Sequence, residues 1–79
     1  MNPRVKSVNP TKDYLLEIVF NNNEKKMFDV KPYLNFGLFS ELKELELFQS
    51  AKAELGTVIW KNGLDICPDT LYLESKQVS

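Results

Sequence analysis

Residues 58–72, VIWKNGLDICPDTLY, place two β-prone runs, a turn and a helix start in immediate succession. Val58–Trp60 and Leu64–Ile66 are the runs, and Lys61-Asn62-Gly63 separates them. Asn-Gly between such runs is a strong hairpin signal, because a type I′ turn needs positive φ at both central residues. A type I′ turn is therefore expected at Asn62-Gly63. Cys67-Pro68-Asp69 then reads as a helix start. Pro68 suits the first turn, where its missing N–H would have no partner anyway, and Asp69 suits the positive end of the helix dipole. Cys67 is the expected cap, with Leu71, Tyr72 and Leu73 giving the helix something to bury. Strand, strand, helix: the stretch predicts an α+β domain.

The upstream sequence agrees. Arg4–Asn9 alternates weakly and is closed by Pro10 and the polar Thr11-Lys12-Asp13. Tyr14–Phe20 is the clearest strand, with Tyr14, Leu16, Ile18 and Phe20 on one face and Leu15, Glu17 and Val19 on the other. Asn21-Asn22-Asn23 signals a turn, since asparagine tolerates positive φ and bonds its own backbone. Lys25–Val30 returns as the partner strand with Phe28 and Val30 facing inward. After Lys31-Pro32 the period changes. Pro32 opens a helical turn that Gly37 breaks, and Leu38, Leu42 and Leu45 then fall at helical spacing with Phe39 alongside. Ser40 is the expected cap of that helix, and Glu41, Lys43 and Glu44 are its solvent side. Phe48–Leu55 alternates as a further strand, with Ala51, Ala53 and Leu55 packed. Glu74–Ser79 is expected to fray. The fold class is α+β: a small antiparallel, hairpin-rich sheet with one or two short helices packed on it.

At 79 residues the chain is one domain, residues 1–79. Such a chain buries only about 60–65% of the surface its unfolded form exposes, enough for one small core. Hydrophobic residues make up 43% and aromatic residues 11%, which suits a folded chain and not a disordered one. A formal net charge of -1 gives no global pull toward nucleic acid or an anionic membrane. One cysteine excludes an intrachain disulfide. The opening MNPRVKSVNP lacks the apolar core of a signal peptide, and no large-apolar run approaches a membrane span. A reducing, bacterial-type cytoplasm is expected.

The chain contains no histidine. That removes Ser-His and Cys-His pairs and the commonest zinc and iron ligand. Cys67 alone makes no thiolate metal site, although a helix N-terminus can lower its pKa. Asp65, Asp69, Asp29 and Glu74 offer carboxylates, but acid–base work needs a shared cleft, which so small a domain seldom has. The glycines are too scattered for a phosphate loop. Arg4, Lys6, Lys12, Lys25 and Lys26, with Tyr14 and Phe28 nearby, suggest a sheet that could stack single-stranded bases. Against that, the aromatics take inward positions and acidic residues balance the lysines. No metal or cofactor is expected.

Taken together, PRVKSV, DYLLEIVF, FDVKPYL, GLFSEL and IWKNGLDICPDTLY resemble the small bacterial domain-of-unknown-function family numbered 2442. The resemblance runs from Pro3 to Tyr72. Its most specific part is W-x-N-G-x-D-I-x-P-D-x-L-Y, carried by Trp60, Asn62, Gly63, Asp65, Ile66, Pro68, Asp69, Leu71 and Tyr72. It implies a hairpin-rich α+β domain and no established activity. Relatives are stand-alone chains or precede a helix-turn-helix module, and some are paired with another very small protein in toxin–antitoxin-like fashion. No helix-turn-helix pattern is present here, so DNA binding by that route is not expected. The expected function is a non-catalytic protein-binding module, an antitoxin-like or regulatory partner of another small protein. The alternatives are a nucleic-acid adaptor through the basic first strands and, behind it, an enzyme with carboxylate chemistry. Leu15, Val19 and Met27 are a candidate interface, either for that partner or for a symmetric homodimer, because two short helices shield only part of a sheet. Trp60 reads first as a cross-strand packing residue and second as an exposed anchor of that interface. Asn62, Gly63, Cys67, Pro68 and Asp69 are assigned to the turn and the helix cap.

Overall fold

A computed structural model describes residues 2–77. Strands β1 (Val5–Pro10), β2 (Leu15–Phe20) and β3 (Lys25–Asp29) form an antiparallel meander. Two 3₁₀ segments follow, Lys31–Tyr33 and Gly37–Lys43, then the one-turn helix α1 (Leu45–Phe48). Short strands β4 (Lys52–Glu54), β5 (Thr57–Ile59) and β6 (Asp65–Ile66) make a second antiparallel sheet. Helix α2 (Pro68–Glu74) leads into β7 (Lys76–Gln77), which pairs with β3 to complete a first sheet in the order β1-β2-β3-β7. The α+β class holds. Two sheets replace the single one expected.

Register explains the core. Leu16, Ile18 and Phe20 alternate inward along β2, and Phe28 lies opposite Leu16. These side chains are buried together with Val30, Leu42, Phe48, Val58, Trp60 and Leu71, between the sheets and under the short helices. A register shift between Val5 and Ser7 bulges β1. Bulges bend the strand that carries them, and here Val5 turns inward while its N–H donates to the Gly56 carbonyl at 2.9 Å. β1 thereby lies against β4 and β5 and joins the two sheets.

Several expectations need correction. Tyr14 precedes β2 with φ +63. The hairpin at residues 61–63 is not type I′: Gly63 has φ +92, but Asn62 does not take positive φ. Instead the Gly63 N–H donates to Trp60 O at 2.9 Å and the Trp60 N–H to Leu64 O at 2.8 Å. That is a three-residue loop with its last residue left-handed, the next commonest hairpin closure. The expected helix over 38–47 is split. Gly37, at φ +48, starts a 3₁₀ segment that stops at Lys43, and Glu44 is extended before α1 begins. Leu38 is exposed, and Ser40 lies within the segment, its hydroxyl donating to Gly37 O at 2.8 Å. The strand expected over 48–55 shrinks to β4. Phe48 belongs to α1, and Leu55 turns outward at φ +54 beside Gly56 at φ +81. The tail does not fray at Glu74–Gln77, since Glu74 ends α2 and β7 is paired; residues 78 and 79 lie outside the described residues.

Candidate binding cleft

The segment between β3 and α1 builds the most open aromatic surface. Pro32 presets the first 3₁₀ turn. The Phe36 N–H then donates to Tyr33 O, and the Phe39 N–H to Phe36 O, both at 3.0 Å. Between them stands Gly37. A side chain there would meet nothing, so the glycine serves the positive φ and not close packing. The turn it makes sends Phe36 and Leu38 outward, 66% and 67% exposed. Phe39 turns in, edge-on to Trp60 with centroids 6.4 Å apart.

A cleft of about 440 Å³ opens beside this lip, walled by Phe28, Pro32, Tyr33, Phe36 and Phe39, with Asp29 and Glu74 on its polar side. The Tyr33 ring stacks on Phe28 at 5.5 Å, and its hydroxyl donates to Glu74 Oε1 at 2.9 Å. Burial, and then the Glu74 carboxylate, push the Tyr33 phenol above its ordinary pKa. Asp29 Oδ1 accepts the Lys31 N–H at 2.9 Å and lies 3.2 Å from Lys31 Nζ. Asp29 and Glu74 also line a second hollow of about 270 Å³ with Leu15, Met27 and Lys76. The two hollows adjoin, with Asp29 and Glu74 bordering both.

The expected interface residues are therefore divided. Leu15 and Met27 are half-buried and line the second hollow. Val19 is also half-buried but lies in a separate depression with Ser7, Asn9, Glu17 and Lys25. Register sets Glu17 opposite Met27, Lys25 opposite Val19 and Asp29 opposite Leu15. The outer sheet face thus mixes charge with apolar groups and is no continuous hydrophobic patch. Trp60 is 2% exposed, and its Nε1 donates to Phe48 O at 3.0 Å, so it is a packing residue and takes no part in an exposed interface.

The turn and cap residues flank the two ends of β6 in the second sheet. Asn62 Oδ1 accepts the Leu64 N–H at 3.2 Å, while Nδ2 donates to Glu41 Oε1 at 2.9 Å. Cys67 occupies the N-cap position of α2 with Pro68 following, but its thiol bonds no helix N–H. Its exposed Sγ lies 3.2 Å from Thr70 Oγ1, and that contact first, then the nearby Thr70 and Asp69 backbone N–H groups, hold the thiol below its ordinary pKa. Asp69 is exposed in the first turn. Of the basic residues expected to bind nucleic acid, Arg4, Lys6, Lys25 and Lys26 lie toward the β2–β3 turn end of the first sheet, and two of them have partners within the chain. Arg4 donates to Leu55 O at 2.5 Å, and Lys26 lies 3.9 Å above the Tyr72 ring and donates to Tyr72 O at 2.8 Å. Lys12 sits in the β1–β2 loop, at the opposite end of the sheet from Lys25.

Among the described residues, no three metal-ligating side chains gather, and no helix is long and apolar enough to cross a membrane. Fold and site together define a small α+β domain with an aromatic cleft closed by two carboxylates. The chain belongs to the family described as "Protein of unknown function (DUF2442)", whose model matches residues 5–77. No curated protein and no solved structure matches it.

Proposed function

We propose that this chain is a non-catalytic protein-binding module and that the cleft with its Phe36-Gly37-Leu38 lip is the surface that binds. The observation carrying this reading is the outward pair Phe36 and Leu38, two-thirds exposed beside an open aromatic cleft. Large apolar side chains grouped at a concave surface mark interaction sites in soluble proteins. The partner is another small protein, with the chain acting as its antitoxin-like or regulatory counterpart in the cytoplasm. A nucleic-acid adaptor is supported less well, because carboxylates border the exposed aromatic surface. An enzyme with carboxylate chemistry is supported less still: of the two carboxylates at the cleft, Asp29 is paired with Lys31 and Glu74 accepts the Tyr33 hydroxyl.

The test is capture of partners by the tagged chain and by a Phe36→Ser, Leu38→Ser variant. Both side chains are mostly exposed, so the variant should unfold at the parental midpoint while losing its partner. A folded variant that captures the same partner as the parent would sink the assignment. Capture that disappears steeply with rising salt would favour the nucleic-acid reading instead.

A further inference from the structure

The adjoining hollows have one carboxylate left to answer. Asp29 is already matched by Lys31. Glu74 accepts the Tyr33 hydroxyl but has no cation within ion-pair distance among the described residues. It stands where the aromatic cleft meets the Leu15–Met27 hollow. Aromatic faces attract cations, and a guanidinium can stack on a ring while forking its N–H groups to a carboxylate. From this complementarity we infer that the two hollows take a partner segment carrying an arginine, its guanidinium on the Tyr33–Phe36 side and against Glu74, with a neighbouring apolar side chain in the Leu15–Met27 hollow.

This rests on the protein-binding reading and names the chemistry of its ligand. Lysine fits less well, since an ammonium cannot stack as a plane and fork to a carboxylate at once. Lys76, on the second hollow, disfavours a further basic residue there. A nucleic-acid backbone would set phosphates against Asp29 and Glu74.

The experiment is an amide-resonance titration of the full chain with two capped tripeptide amides, leucyl-seryl-arginine and leucyl-seryl-glutamine. The arginine peptide should shift Tyr33, Phe36, Phe39 and Glu74 saturably. The glutamine peptide should bind about tenfold more weakly, as the loss of one charge-assisted contact implies. Glu74→Gln should bring the two peptides to within about twofold of each other. Phe36→Ala should weaken the arginine peptide, whereas Tyr33→Phe, which keeps the ring and frees Glu74, should not. Equal binding of the two peptides, shifts confined to the outer sheet face, or stronger shifts of the same amides by hexathymidylate would each overturn the inference. If the arginine peptide fails while Phe36→Ser, Leu38→Ser still abolishes partner capture, the inference falls alone and the protein-binding reading stands.

Discussion

Backbone sign decides more here than side-chain type. The loops at 21–23 and 61–63 are built alike: the third residue is left-handed, Asn23 at φ +70 and Gly63 at φ +92. In each, the middle asparagine accepts an N–H two residues on, Asn22 from Glu24 and Asn62 from Leu64. Leu55 breaks the rule. It takes φ +54 with a γ-branched side chain that is 87% exposed, so it bears the steric penalty without the reward of burial. Leu55→Asn should therefore raise the urea midpoint, by an amount equal to about 1 kcal/mol. The glycines give a paired test. A methyl at Gly63 meets open space, whereas one at Gly56 overlaps the Arg4 side chain. Gly63→Ala should cost about 1 kcal/mol, from φ alone, and Gly56→Ala about twice that. Equal costs would mean that Arg4 yields freely.

At the scale of elements, hairpins and the α2 start were legible because each is encoded locally. Asn-rich turns between alternating runs locate β2, β3, β5 and β6 within a residue or two. The segment from Gly37 to Phe48 was misread for a physical reason. Leu38, Leu42 and Leu45 fit an α-helical face, but Phe39 and Leu42 are three apart, the period of the 3₁₀ segment that forms. The extended Glu44 then resets the phase before Leu45 and Phe48 in α1. Phe39, Leu42, Leu45 and Phe48 are the side chains turned inward, and Leu38 is left exposed. Two-residue β7 has no period to read; only tertiary pairing creates it. α2 is tied down by tyrosines. Tyr33 donates to Glu74, and the Tyr72 hydroxyl donates to Glu24 at 2.8 Å. The Tyr72 phenol is pushed up by that Glu24 bond and then by burial, as Tyr33 is by burial and Glu74. A raised pKa means that the folded state holds the proton more tightly than the unfolded chain. This contribution is complete below the ordinary tyrosine value of about 10 and is lost as pH rises through the folded value. Urea midpoints should thus fall above about pH 10, and Tyr33→Phe with Tyr72→Phe should flatten the fall while starting lower. The same slope in parent and double variant would show that the phenols are not responsible.

For the whole molecule, the question is what makes two small sheets one cooperative unit. Six rings answer it: Phe28, Tyr33, Phe39, Trp60, Phe48 and Tyr14 follow one another with centroids 5.1–6.4 Å apart. The series begins on β3, passes through the 3₁₀ segments to Trp60 at the end of β5, and returns through α1 to the start of β2. The Tyr14 hydroxyl closes it on the Lys43 carbonyl. Neither sheet could bury its inner face alone, since isolated hairpins are marginal in water. Trp60 stands inside the series and bonds directly to the next member, through Nε1 to Phe48 O. Trp60→Phe would leave that carbonyl with only the Ala51 N–H, at 3.3 Å, and empty the space of one ring, a loss of about 2 kcal/mol. A chain of this length has roughly 4–12 kcal/mol in total. The variant should therefore stay folded with a clearly lowered midpoint, whereas Trp60→Ala, at about 3–5 kcal/mol, should approach the unfolding threshold. Because Trp60 is the lone tryptophan, its fluorescence reports the second sheet, while far-UV circular dichroism reports both. In the parent the two transitions should coincide, as all-or-none unfolding requires. Fluorescence lost at lower urea than circular dichroism would show that the second sheet melts by itself and that the aromatic series does not couple the two.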